Sequence, residues 1–160
     1  MFSTVLFPID QSREALETAG KALDLAKSHG SRMVLLSVVQ PERPEMHDHA
    51  TVAPLLDQAR QQFEQAGVAC ELVEREGKPA FVICDVADEL NVDVIVMGTR
   101  GVNLEDDTES TAVRVIQLAP CPVWWCREYT ADSVVSRPYR QGRAAAQTQP
   151  RQGRPGDRGA

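Results

Sequence analysis

Residues 92–101 read Val92-Asp93-Val94-Ile95-Val96-Met97-Gly98-Thr99-Arg100-Gly101, or VDVIVMGTRG. The run is apolar except at Asp93 and leads straight into two glycines, Gly98 and Gly101. A short apolar run without alternation reads as a strand buried on both faces. A sheet with such strands carries helices above and below it. Glycine at the strand's end lets backbone N–H groups approach a ligand unobstructed. The stretch therefore predicts a buried strand that opens into a binding loop.

The same grammar repeats outward from this point. Pro79 suits the first turn of the preceding helix, and Val82, Ile83, Val86, Ala87 and Leu90 form its apolar face. At the start of the chain, Thr4 to Ile9 (TVLFPI) is a buried strand ending in Asp10. Ser12 offers an N-cap to a helix over 12–29. Leu16, Ala19, Leu23 and Ala26 are that helix's stripe, and Gly30 is its stop. Met33 to Val39 (MVLLSVV) is a second buried strand, and 40–50 (QPERPEMHDHA) predicts a polar loop.

Val52, Leu55, Leu56, Ala59, Phe63 and Ala66 mark the next helix, ended by Gly67. Val68 to Val73 alternates with one wetter side, as a strand at a sheet edge does. Downstream of the opening stretch, a helix from about Ser110 turns Ala112, Val115, Ile116 and Ala119 inward. Pro120 and Pro122 break it, and Val123 to Cys126 (VWWC) is the last strand. Five strands interleaved with four helices specify an α/β doubly wound, three-layer sandwich with a mainly parallel sheet. Each crossover is expected to be right-handed.

The chain has 160 residues, a length suited to one domain. No apolar run is long enough to span a membrane. The start, MFSTVLFPID, has neither a basic segment nor a small-residue cleavage pattern, so no secretion signal is expected. Charge is unevenly distributed: residues 1–130 carry 11 Lys/Arg against 21 Asp/Glu, and residues 131–160 carry 6 Arg against 2 Asp. The acidic body argues against nucleic-acid binding by the folded part. The tail, 131–160, is rich in Arg, Gln, Gly, Ala and Pro and poor in large apolar side chains, so it is expected to be disordered.

Cys70, Cys84, Cys121 and Cys126 include no C-x-x-C pair, which points to reduced thiols in a cytoplasmic core. His47 and His49, in MHDH, read as part of a polar loop rather than a metal site. No G-x-S-x-G elbow or Walker A loop is present, and no histidine has an evident nucleophile partner. A binding module, not an enzyme, is expected.

Three pieces, VLFPIDQS, VDVIVMGTRG and RVIQLAPCPVWW, together resemble the universal stress protein family. The run Ala119-Pro120-Cys121-Pro122-Val123 is the most diagnostic. The pieces bracket residues 2–128 and leave the tail out. The resemblance implies an adenine nucleotide alpha hydrolase-like fold with strand order 3-2-1-4-5. Strands one and four are then neighbours, and Asp10 and Gly98 flank the switch point where open α/β sheets bind ligands.

The resemblance further implies ATP or a related adenine nucleotide, with Mg²⁺ accompanying it. Asp10 would sit near the ribose and any metal, the Val39 backbone near adenine, and Pro8 would also contact the nucleotide. Met97, Gly98, Gly101, Ser110 and Thr111 would line the phosphate side. It also implies a homodimer through the last strand (Val123, Trp124, Trp125) that serves stress-response regulation with a partner protein.

The phosphate loop departs from the family pattern G-x2-G-x9-G-[S/T]. Alignment back from APCPV puts Glu109 at the third glycine and Ser110 at the hydroxyl residue. Only the seven residues Val102 to Thr108 separate Gly101 from Glu109, and Glu105, Asp106 and Asp107 stand among them. A carboxylate about 4 Å from a phosphate charge costs roughly 1 kcal/mol in water-like surroundings and ~4 when partly buried. Micromolar affinity amounts to only about 8 kcal/mol. Arg100 and Arg114 are the cations available to offset this repulsion.

Two readings stand. Acidic residues at a helix start complement its dipole, so Asp107 to Ser110 can cap the helix in place of a phosphate. Alternatively, nucleotide binding persists, and the protein is an ATP-linked sensor. The charge argument favours weakened or lost ATP binding. Asp10 has the same duality, as a cap near Ser12 or as a site residue.

Overall fold

The computed structural model describes residues 1–99 and 111–127. Its elements are β1 (Thr4–Pro8), α1 (Arg13–His29), β2 (Arg32–Val39), a 3-10 turn (Pro44–Met46), α2 (His49–Gln65), β3 (Cys70–Glu76), α3 (Pro79–Glu89), β4 (Val94–Thr99), α4 (Thr111–Leu118) and β5 (Val123–Arg127). The chain divides into two units, Met1–Glu128 and Tyr129–Ala160. The second lies outside the described residues, and so does the expectation for the tail.

The sheet order is β3-β2-β1-β4-β5, as the resemblance implies. Every neighbouring pair is parallel. Because strand side chains alternate between faces, β1 feeds two cores. Val5 and Phe7 pack with Met33, Leu35, Ala22 and Phe63 on the side of α1 and α2. Leu6 packs with Val34, Leu36, Ile83, Val86 and Val115 on the side of α3 and α4. This is the three-layer sandwich that the buried strands require.

Local signals set the helix ends. The Ser12 side chain accepts from the Ala15 N–H, and Gly30 closes α1 at φ 64°, a conformation that favours glycine. The Asp48 side chain accepts from the Thr51 N–H at the start of α2.

Several features differ from the sequence expectation: Leu16 and Ile116, expected to face inward, are 66% and 45% exposed, and three elements shift. β4 begins at Val94, and just before it the Asp93 carboxylate accepts from the N–H groups of Ser3 and Thr4 at 2.8 and 2.9 Å. The lone acid in the apolar run thus clips the start of β1. β3 runs from Cys70 to Glu76, carried by pairing with β2 from Met33↔Cys70 to Val39↔Glu76. The 40–50 segment is more than a polar loop: Met46 is fully buried with Val39 and Val52, and α2 starts at His49. Among the described residues no helix is long and apolar enough to cross a membrane.

Candidate functional site

The site begins with a missing donor. The Ile9 N–H reaches the Leu36 carbonyl at 2.7 Å, so odd-numbered residues of β1 address β2. The Thr4 carbonyl accepts from the Asp93 N–H at 2.9 Å, so even-numbered residues address β4. Pro8 therefore faces β4 and has no N–H to donate. Accordingly β1 pairs with β2 through Pro8↔Leu36, but with β4 only at Val5↔Val94 and Leu6↔Ile95. The two strand tips separate beyond that point.

A cavity of about 140 Å³ lies at this separation. Pro8 and Asp10 bound it from β1, and Met97 and Gly98 from β4. Three helix starts reach it, through Ser12 of the α1 cap, Pro79 of α3, and Thr111 and Ala112 of α4. Helix starts carry the positive end of the helix dipole. No side chain caps α3, so that dipole end has no side-chain acceptor of its own.

Asp10 divides its carboxylate between two tasks. Oδ1 accepts from the Ser12 N–H at 2.9 Å, which fixes the turn into α1. Oδ2 lies 3.9 Å from Arg43 Nη1. The capping and site readings of Asp10 are thus compatible: one oxygen holds the turn while the other faces the cavity rim.

The sequence and the fold match a known protein family. Residues 1–127 fit the sequence model described as the Universal stress protein family. The chain belongs to that family. It is 50% identical over 133 residues to Universal stress protein Sll1654 of Synechocystis sp., a match covering 77% of this chain and 84% of the relative. It is 30% identical to a universal stress protein of Thermus aquaticus, covering 97% of that relative.

Among solved universal stress protein structures, one in complex with cAMP superposes with a TM-score of 0.68 at 19% identity, covering 79% of this chain and 97% of the other. An Arabidopsis thaliana universal stress family protein with AMP bound gives 0.64 at 22% identity, covering 84% and 97%. At these identities the likeness concerns the fold.

For this universal stress protein, the structure brings Pro8, Asp10, Met97, Gly98 and Thr111 together on one cavity. Val39 does not line it. Its neighbours Val38 and Gln40 do, while the Val39 side chain packs on Met46 and Val52 and its carbonyl accepts from the Gly77 N–H at 3.2 Å. Gly101 and Ser110 lie outside the described residues, as do Glu105, Asp106, Asp107 and Glu109.

Sequence reasoning missed Arg43 and Met46, both of which line the cavity. One signal was available: a lone methionine in an otherwise polar segment. Among the described residues no His/Cys/Asp/Glu group could hold a metal. Asp10 is the only carboxylate on the described lining, so Mg²⁺ would have to arrive with phosphate oxygens. His49 Nδ1 instead contacts Glu74 Oε2 at 2.7 Å. The four cysteines are free. Burial pushes the Cys70 thiol up to about 11 and also raises those of Cys84, Cys121 and Cys126.

Proposed function

We propose that this universal stress protein is a regulatory binding module, not a catalyst, whose cavity takes an adenine nucleotide of low phosphate charge and binds ATP weakly. The observation that carries the reading is the cavity at the separated tips of β1 and β4, faced by helix starts. The solved relatives described with cAMP, AMP and dAMP support an adenine ligand. The described lining holds one carboxylate and one guanidinium, with no histidine or cysteine. It can orient a ligand, and it contains no pair suited to activating a nucleophile.

Phosphate number decides the affinity. Glu109 is two residues from the cavity residue Thr111 in sequence. Each added phosphate brings more negative charge toward Glu105, Asp106, Asp107 and Glu109, at roughly 1–4 kcal/mol per close pair. The protein is further proposed to dimerise through β5. That strand is a sheet edge, and Trp124 and Trp125 on it are 46% and 38% exposed. Unpaired apolar edges favour pairing with another chain.

Calorimetric titration with AMP and ATP, with and without Mg²⁺, tests the nucleotide reading. AMP is expected to bind more tightly than ATP, and ATP more weakly than ~100 μM. Micromolar ATP binding that exceeds AMP binding would reverse the reading in favour of an ATP-linked sensor.

A further inference from the structure

We propose that Arg43 makes this cavity selective for a charged ligand, by exchanging its contact with Asp10 for the ligand's phosphate. The proposal rests on the adenine-nucleotide reading above and assigns a charge-sensing role to a residue of that site. Arg43 is the only positively charged side chain on the cavity lining among the described residues. Its Nη1 stands 3.9 Å from Asp10 Oδ2, and its Nη2 stands 3.6 Å from Glu45 Oε1. Both separations exceed hydrogen-bond range. Among the described residues the guanidinium is thus held by charge alone, and its planar fork of donors is open to an oxyanion.

The backbone that presents Arg43 is fixed. The Gln40 N–H donates to the Met46 carbonyl at 2.7 Å and closes the segment from 40 to 46. Inside it, the Arg43 N–H donates to the Gln40 carbonyl and the Met46 N–H donates to the Arg43 carbonyl, each at 2.9 Å. The fully buried Met46 pins the turn to Val39 and Val52. A hydrogen-bonded turn therefore carries a long, half-exposed side chain over a small cavity, without a hydrogen-bond partner among the described residues and able to swing toward a phosphate.

The exchange has a second consequence. When Arg43 turns to a phosphate, Asp10 Oδ2 loses its cation and becomes a free acceptor. A ribose hydroxyl is the donor that such a ligand supplies. An uncharged nucleoside offers the hydroxyl alone and leaves the Arg43–Asp10 contact in place. Charge at the phosphate is therefore read by Arg43, and the base and sugar are read by the rest of the site.

The test compares adenosine with AMP on the full chain, using wild type, Arg43→Gln and Arg43→Lys. Arg43→Gln is expected to weaken AMP about tenfold, the scale of one charge-assisted hydrogen bond, and to leave adenosine within about twofold. Arg43→Lys is expected to fall between, because it keeps the charge and loses the fork. Equal weakening of both ligands by Arg43→Gln, or AMP binding unchanged by it, overturns the proposal while the nucleotide reading stands. Wild type that binds neither adenosine nor AMP overturns both.

Discussion

Single residues in this protein carry more than one duty, and their substitution should show it. Gly77 holds φ 146°, and a Cβ placed there would meet Val82 Cγ2 at 3.0 Å. Val82 is β-branched and stiff at χ1, so it yields poorly. Gly77→Ala is therefore expected to destabilise the fold by roughly 1–3 kcal/mol, read as a lower urea midpoint with an unchanged slope. An unchanged midpoint would show that the turn relaxes. Asp10 was legible in the sequence as a candidate, but its two roles were not separable there. The structure separates them by oxygen, one on the Ser12 N–H and one toward Arg43. Asp93 was read as part of a strand, because nothing in a local apolar pattern reveals a carboxylate that reaches back ninety positions to the N–H of Ser3.

At the scale of elements, hydrophobic period and glycine or proline punctuation made the strands and helices readable. Strand order needed the family resemblance. Pro8 shows the limit well. Its identity was plain, yet its effect depends on which neighbour its missing N–H would have faced, and that follows only from the register of β1 against β2 and β4. The 40–46 turn was hidden for another reason: its composition is polar, and one buried Met46 outweighs that composition through contacts with Val39 and Val52. β5 remains the element with the most exposed aromatic surface. If it is the dimer edge, Trp124→Lys and Trp125→Lys should each halve the mass measured by sedimentation at micromolar concentration. A dimer that survives both changes would place the contact elsewhere, and a wild-type monomer would remove it altogether.

For the whole molecule, the central claim is that backbone geometry and loop charge oppose each other at one place. Splayed strand tips and helix starts favour an anion there. On the proposal above, the acidic sequence from Glu105 to Glu109 would limit how much negative charge that anion can carry. The body of the protein shares this acidic excess, so long-range steering of a polyanion offers no compensation. Amide chemical-shift mapping of the full chain during titration with AMP tests the claim most directly. Saturable shifts are expected to concentrate at Asp10, Ser12, Gly98, Thr111 and Ala112, and to be lost in Asp10→Ala. Shifts centred on another face of the sheet, or an unchanged response in Asp10→Ala, would contradict it.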